Sequence, residues 1–435
     1  MFCAAVATGQ SSLAPAPLHL LTDYPSAKCL DGSPGAYYHR PALNASDASK
    51  WVFSLQGGGE CVDEAGCKDR ADDKSNTSLG SSVGYVEDGS LFMEQFQNGY
   101  EQYNPDFYSW NHVLVMYCTG DLHLGTVEAP GDDQWRWAYF TGGLVVDAVL
   151  ADLQARADLQ KGANPGAAYN LDAADLVVWS GDSAGGIGSA AQVDHAAEII
   201  RRMQRKRQRG NDELSSSSSS TGVAGEVGAG EGGAANKQQV RVVGAPIAGF
   251  YWNNSHPYNA SDPEYVPFDA DAFAQYMTLW QMRVPAACAA AHPTAPHVCG
   301  LLNFSLPTVA SEVYVIEMLV DSVQQSLHGG VPAYDDATAP YVTQFGRNMT
   351  RALRGAVMEK DTRGGRYGRT GLFAPACYAH TAFYSARPLL PPGENTNNVF
   401  TTFADWLFGR GQFDDYLIDD CCSTSDTAVT FNPSC

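Results

Sequence analysis

Hydrophobic and polar positions alternate along this chain between two textures. Short, largely β-branched apolar runs read as buried strands at Trp51–Leu55, His112–Cys118, Asp175–Ser180, Gln239–Val243 and Val313–Leu319. Longer segments between them, Gly142–Leu159 and Pro340–Glu359 included, read as helices. Strands that alternate with helices predict an α/β fold: a mostly parallel central sheet with helices on both faces. Sites in such sheets form at the carboxyl ends of strands. No window approaches ~18 uninterrupted apolar residues, so no membrane-spanning helix is predicted.

The pattern breaks in one place. Arg201–Arg209 holds six basic residues, Ser215–Ser220 is a serine run, and a Gly/Ala-rich tract extends to Ala235. Such composition buries too little apolar surface to offset chain entropy, so roughly 204–238 is expected to be a disordered insertion. The basic run is read first as a solvated helix end, with anchoring to an acidic polymer as the alternative. Otherwise 20–435 is expected to form a single domain. Residues 1–19 are expected to be a loose N-terminus, a signal-peptide remnant at most, because they lack a basic n-region and a full apolar h-region.

Chemistry concentrates after the third strand. Gly181-Asp182-Ser183-Ala184-Gly185-Gly186 follows it and leads into the Ala-rich, helix-like stretch Ile187–Ile200. Strand, G-x-S-x-G, helix is the setting of a nucleophile elbow, in which a sharp turn lifts the serine hydroxyl off the sheet and only small neighbours fit. The helix start also offers backbone N–H groups to a developing anion. Such a serine needs a base and an acid that orients the base. His380, in the late loop Ala374–Thr381, suits the order serine, acid, histidine. His328, His297 and His292 remain competitors. Asp321, directly after the strand Val313–Val320, is the candidate acid, with Asp335 and Asp336 as the alternative. Gln56-Gly57-Gly58-Gly59-Glu60 follows the first strand, and its backbone N–H groups are candidates to join that of Ala184 around an oxyanion. No Gly-Lys-Ser/Thr follows those glycines, which excludes a phosphate loop.

Charge and cysteines narrow the setting. The net charge of −21 argues against nucleic acid and disfavours a strongly anionic polymer; an esterified or neutral one suffers less repulsion. Eleven cysteines without a C-x-x-C pair or zinc spacing favour disulfides. Six N-x-S/T sequons, at Asn44, Asn76, Asn253, Asn259, Asn303 and Asn348, point the same way, towards the cell exterior. An odd cysteine count leaves one thiol over, and Cys3 is the candidate.

Taken together, these segments resemble the pectin acetylesterase family, which also contains the Notum-type carboxylesterases. The matching stretches are Cys29–Tyr38, Leu55–Cys61, Asn104–Asn111, Tyr117–Gly120, Gly181–Gly186, Ala248–Phe250, Leu319–Ser322, Cys377–His380 and Asp405–Phe408. The resemblance implies an α/β-hydrolase-like fold and a secreted serine esterase that removes O-acetyl groups from cell-wall polysaccharide, with pectin first. Removal of a fatty acyl group from a protein, as in the Notum branch, is the alternative. It selects Asp321 and His380 as partners of Ser183, and Gly58 and Gly59 as oxyanion donors beside Ala184. It implies a monomer acting on acetylated polysaccharide with no metal or organic cofactor. It also implies disulfides Cys61–Cys67, Cys29–Cys118 and Cys288–Cys299, with Cys377 pairing to Cys421, Cys422 or Cys435. The chain departs from the family pattern at Gln56, Glu60, Asp182 and Thr381. Of these, Glu60 borders the site and weakly disfavours a long acyl chain.

Overall fold

The computed structural model describes residues 13–160, 169–218, 239–254, 256–362, 368–382, 399–411, 415–419, 422, 429 and 431. Nine strands build one sheet: β1 (Leu18–Leu20), β2 (Ala36–Arg40), β3 (Lys50–Leu55), β4 (Asn111–Val115), β5 (Leu176–Asp182), β6 (Arg241–Ile247), β7 (Glu312–Ile316), β8 (Thr370–Ala374) and β9 (Tyr416–Ile418). Their spatial order is β1-β2-β4-β3-β5-β6-β7-β8-β9. β1, β2 and β4 pair antiparallel, and every pairing from β4 to β9 is parallel. The helices are α1 (Glu64–Asp72), α2 (Gly142–Gln160), α3 (Ala184–Ser218), α4 (Ala270–Trp280), α5 (Ala286–Ala291), α6 (Leu302–Ser305), α7 (Ser322–Ser326), α8 (Ala339–Thr362) and α9 (Val399–Phe408).

The strands divide their side chains between two cores, as the period of two requires. On one face Trp51, Phe53, Val177, Trp179, Val313 and Val315 pack against α2, α3 and α8. On the other, Val52, Val178, Tyr314 and Ile316 meet Phe400, Phe403 and Leu407 of α9. A parallel sheet buried on both faces explains why its strands read as continuous apolar runs. The expected α/β architecture is therefore present, with β1, β2, β8 and β9 added to the five strands legible as apolar runs.

Several boundaries differ. β4 stops at Val115, and Cys118 beyond it is bonded to Cys29. β6 begins at Arg241 and reaches Ile247. β7 ends at Ile316 instead of running on to residue 320: the next residue, Glu317, turns its carboxylate onto the Phe250 and Met318 N–H groups. Residues 16–20 are docked, in contrast to a loose segment up to residue 19. Ala16 is buried, its N–H donates to Asp88, and Leu18 pairs with Tyr38. Helix α3 runs on through residue 218, across the first part of the expected insertion, while 219–238 lie outside the described residues. The basic run on α3 is laced with acid: Arg205 lies 2.9 Å from Glu198, Arg207 2.9 Å from Asp172 and Lys206 3.9 Å from Asp158. That is the pattern of a solvated helix end.

Cys29–Cys118, Cys61–Cys67 and Cys288–Cys299 are disulfides, and Cys377 and Cys422 are disulfide-bonded as well. Cys3, Cys421 and Cys435 lie outside the described residues. Among the described residues no helix is long and apolar enough to cross a membrane. The Cys29–Cys118 bridge closes 89 residues of sequence and Cys288–Cys299 only 11. Chain entropy then predicts that Cys29→Ser/Cys118→Ser costs about 2–5 kcal/mol in denaturant unfolding, and more than Cys288→Ser/Cys299→Ser. The reverse order would show that strain or residual structure outweighs loop length.

Candidate active site

Ser183 occupies the junction of β5 and α3 with φ of 55°. A left-handed conformation costs a non-glycine residue roughly 1–3 kcal/mol, so its surroundings must enforce it. They do so by crowding. A Cβ on Gly185 would lie 1.8 Å from the Leu55 carbonyl oxygen, and one on Gly186 2.4 Å from that of Ile247. The first turn of α3 is thereby wedged between the ends of β3 and β6. The Ser183 N–H donates to Ile247 O at 2.9 Å, which closes the turn. Ala184 opens the helix, where backbone N–H groups have no partner within the helix.

The glycine loop begins where Leu55 ends β3. The Gln56 amide oxygen accepts from the Tyr117 N–H at 2.9 Å, and its carbonyl accepts from His123 Nε2 at 2.9 Å. Gly58 and Gly59 have φ of 147° and 63°, values open to glycine and strained for other residues. Arg70 of α1 clamps this loop, donating to Gly58 O at 2.8 Å and to Glu60 O at 2.9 Å. Because the peptide is planar and trans, a Gly58 carbonyl directed at Arg70 sends the Gly59 N–H the opposite way. The Cys61–Cys67 bridge ties the end of the loop to α1.

His380 and Asp321 meet across the far side of the site. His380 Nδ1 lies 2.6 Å from Asp321 Oδ2. The other Asp321 oxygen accepts from the Val323 and Gln324 N–H groups, both at 2.9 Å, so this fully buried carboxylate caps α7. Asp321 thus stands five residues beyond the end of β7, in a turn and not at the strand end itself. With Nδ1–H donating to the carboxylate, His380 Nε2 carries the lone pair, and that buried atom has no hydrogen-bond partner. Burial pulls the His380 pKa down, but the charge and hydrogen bond of Asp321 outweigh it and the pKa is raised. Glu317 lies beside Asp321, and burial followed by the Asp321 charge holds its carboxyl well above the usual range.

Ser183, His380, Gly58, Gly59 and Ala184 line one cavity of about 410 Å³. Asp321 stands behind His380. Of the competing histidines, His328 also lines this cavity. His292 ends α5, and His297 lies in the short helix that carries Cys299. Asp335 is an exposed cap that accepts from the Ala337 and Thr338 N–H groups. Asp182 is next to Ser183, and burial pushes its carboxyl up to about 6.

Two cavity residues escaped sequence reasoning. Tyr251 lines the same cavity as Ser183, and burial drives its pKa well above the tyrosine range. Its signal was its position just beyond β6, the neighbour of β5. Arg70 sits on a surface-patterned helix and gave no signal. Among the described residues no group of three or more His, Cys, Asp or Glu side chains is arranged to hold a metal ion.

Residues 10–208 match the pectinacetylesterase family model. "Palmitoleoyl-protein carboxylesterase notum1'" of Xenopus laevis is 24% identical over 360 residues, which are 82% of this chain and 60% of that protein. "Pectin acetylesterase 7" of Arabidopsis thaliana is 32% identical over 176 residues, 40% of this chain and 39% of that protein. This chain therefore spans about 60% of the length of the first of these relatives and less of the second. The solved structure of the Wnt deacylase Notum from Drosophila superposes with a TM-score of 0.67 at 21% identity, covering 94% of this chain and 97% of that one. The two share the α/β-hydrolase-like fold.

The His380–Asp321 contact makes a prediction independent of any activity. Asp321→Asn removes the charge that raises the His380 pKa and leaves the burial that lowers it. The imidazole titration followed by NMR should therefore move from above 6.5 to a lower pH. An unmoved midpoint would mean that the 2.6 Å contact carries no net electrostatic coupling.

Proposed function

We propose that this chain, with its pectinacetylesterase match over residues 10–208, is a serine carboxylesterase that removes acetyl groups from an O-acetylated polysaccharide. The observation that carries this reading is the left-handed Ser183 elbow sharing one cavity with a His380 held by Asp321. Ser183 Oγ attacks the ester carbonyl while His380 Nε2 takes its proton. Asp321 keeps the imidazole in the tautomer with Nε2 free and stabilises the cation that forms. The N–H groups of Gly58, Gly59 and Ala184 receive the oxyanion, each donor contributing roughly 3–4 kcal/mol. Collapse of the tetrahedral intermediate expels the sugar oxygen, which His380 protonates. Water, deprotonated by His380, then releases acetate from Ser183.

Support for a short acyl group comes from Glu60, whose side chain is 3% exposed and lines the cavity. Burying a carboxylate against a hydrocarbon chain costs several kcal/mol. The net charge of −21 supports a neutral or esterified polymer over a free polyanion. Secretion is supported by the disulfides. Removal of a fatty acyl group from a protein is the second reading, favoured by the match of a palmitoleoyl-protein carboxylesterase to 82% of this chain.

Ser183→Ala should lower kcat on p-nitrophenyl acetate by about 10⁴-fold or more and abolish acetate release from acetylated pectin. The wild type should turn over octanoate far more slowly than acetate. Preference for octanoate without activity on pectin would transfer the protein to the fatty-acyl reading. The kcat/KM should rise with pH as His380 loses its proton, with a midpoint above 6.5 because Asp321 raises that pKa. A midpoint below 6.5 would contradict the assignment of His380 as base.

A further inference from the structure

Glu60 is not accounted for by the chemistry above. Its carboxylate is buried in the cavity that holds Ser183, and Oε1 has no hydrogen-bond partner. Arg70 is close in space but directs its donors to the backbone oxygens of Gly58 and Glu60. The group facing Oε1 is His328 Nε2, 4.0 Å away on a side chain 5% exposed. That separation is too long for a hydrogen bond. His328 is itself fixed: Nδ1 lies 2.9 Å from Val266 O, which accepts only, so Nδ1 carries a proton and Nε2 is the free end. Its ring is held by Phe268 and Tyr251, with centroids 4.6 and 5.4 Å away.

A carboxylate oxygen and an imidazole nitrogen at this spacing can share one oxygen atom about 2.8 Å from each, set to the side of the line joining them. A hydroxyl fits both ends when His328 is the imidazolium, donating to Glu60 Oε1 and accepting from Nε2–H, and with the neutral ring it still donates to one of the two acceptors. A methylene does neither, and would displace water from a charged group without replacing its hydrogen bonds. Tyr251 links the pair to the reacting centre, because its ring packs on His328 and it lines the same cavity as Ser183. Glu60, His328 and Ser183 thus border one shared space.

We propose that Glu60 and His328 recognise a hydroxyl group that the substrate carries within a few bonds of its scissile carbonyl. The preferred substrates are then hydroxy esters, with the hydroxyl either on the alcohol beside the ester oxygen or on the acyl group. The inference rests on the esterase reading and adds to it a specificity-determining pair at a position where the chain departs from its family pattern. A buried acceptor left unpaired by the wrong substrate is a strong discriminator, stronger than a missing apolar contact.

Two pairs of esters test it by pH-stat hydrolysis. 2-Hydroxycyclohexyl acetate against cyclohexyl acetate probes a hydroxyl on the alcohol, and methyl glycolate against methyl acetate probes one on the acyl group. In the wild type one pair should show a kcat/KM ratio on the order of ten- to a hundredfold in favour of the hydroxy ester, and which pair does so identifies the source. Glu60→Met should bring that ratio near unity. Glu60→Gln, which keeps shape and one acceptor, should leave an intermediate ratio, and His328→Phe should reduce it while keeping ring packing. The ratio within each protein is the readout, so a general loss of rate or stability does not imitate the result. If Glu60→Met does not fold, the ratio of Glu60→Gln decides. Equal rates within both pairs for the wild type, or an unchanged ratio in the variants, overturn the inference while leaving the esterase reading intact. Wild-type protein inert on all four esters and on p-nitrophenyl acetate overturns both.

Discussion

The close approach of α3 to the sheet is the constraint on which the site depends. Gly185 sits so near the Leu55 carbonyl that no side chain fits, and Gly181 is as tightly placed, since a Cβ there would lie 2.3 Å from Gly185 O. This contact bends the chain sharply enough to put Ser183 in a left-handed conformation. It also joins two functional pieces, because the residue after Leu55 is the first of the glycine loop. Ser183 and the glycine loop are therefore registered to each other through one backbone contact between β3 and α3. Small shifts there would move both at once.

Around this contact the protein treats four carboxylates in four ways. Asp321 is held by two backbone N–H groups and His380. Glu317, beside it, is driven towards the neutral acid by burial and by that same charge. Asp182 lies against Gly57, where a Cβ would come within 2.6 Å of its Oδ2, and burial raises its pKa. Glu60 Oε1 is buried without a hydrogen-bond partner in a residue that lines the cavity. Environment and not residue type separates the four, and burial raises the pKa of Glu317 and Asp182.

Local signals were the legible ones. The β5 run, the small residues around Ser183 and the glycine run after β3 all act within a few residues of one another, so pattern alone located the elbow and the loop. His380 and Asp321 are 59 residues apart and meet through the order of β7 and β8, which no window of sequence contains. Resemblance to a family, and not spacing, selected them from the alternatives. Asp321 also shows the limit of boundary reading, since it caps a short helix and does not end a strand. Short strands at the sheet edges, such as Leu18–Leu20 and Tyr416–Ile418, carry too few residues for periodicity to register. Arg70 and Tyr251 act through tertiary neighbours, and their types are unremarkable in their own segments.

Helix α3 has one more consequence. It runs unbroken from Ala184 to Ser218, 35 residues, which is about 50 Å at 1.5 Å per residue. Its first turn follows directly on Ser183, and its other end lies far from that residue. Whatever length or composition the connection to β6 acquires, it begins a molecular diameter away from Ser183. The fold has thus separated the part of the chain that tolerates almost no change, a glycine against a carbonyl, from a part that drifts at little cost to the chemistry, with one rigid rod as the spacer.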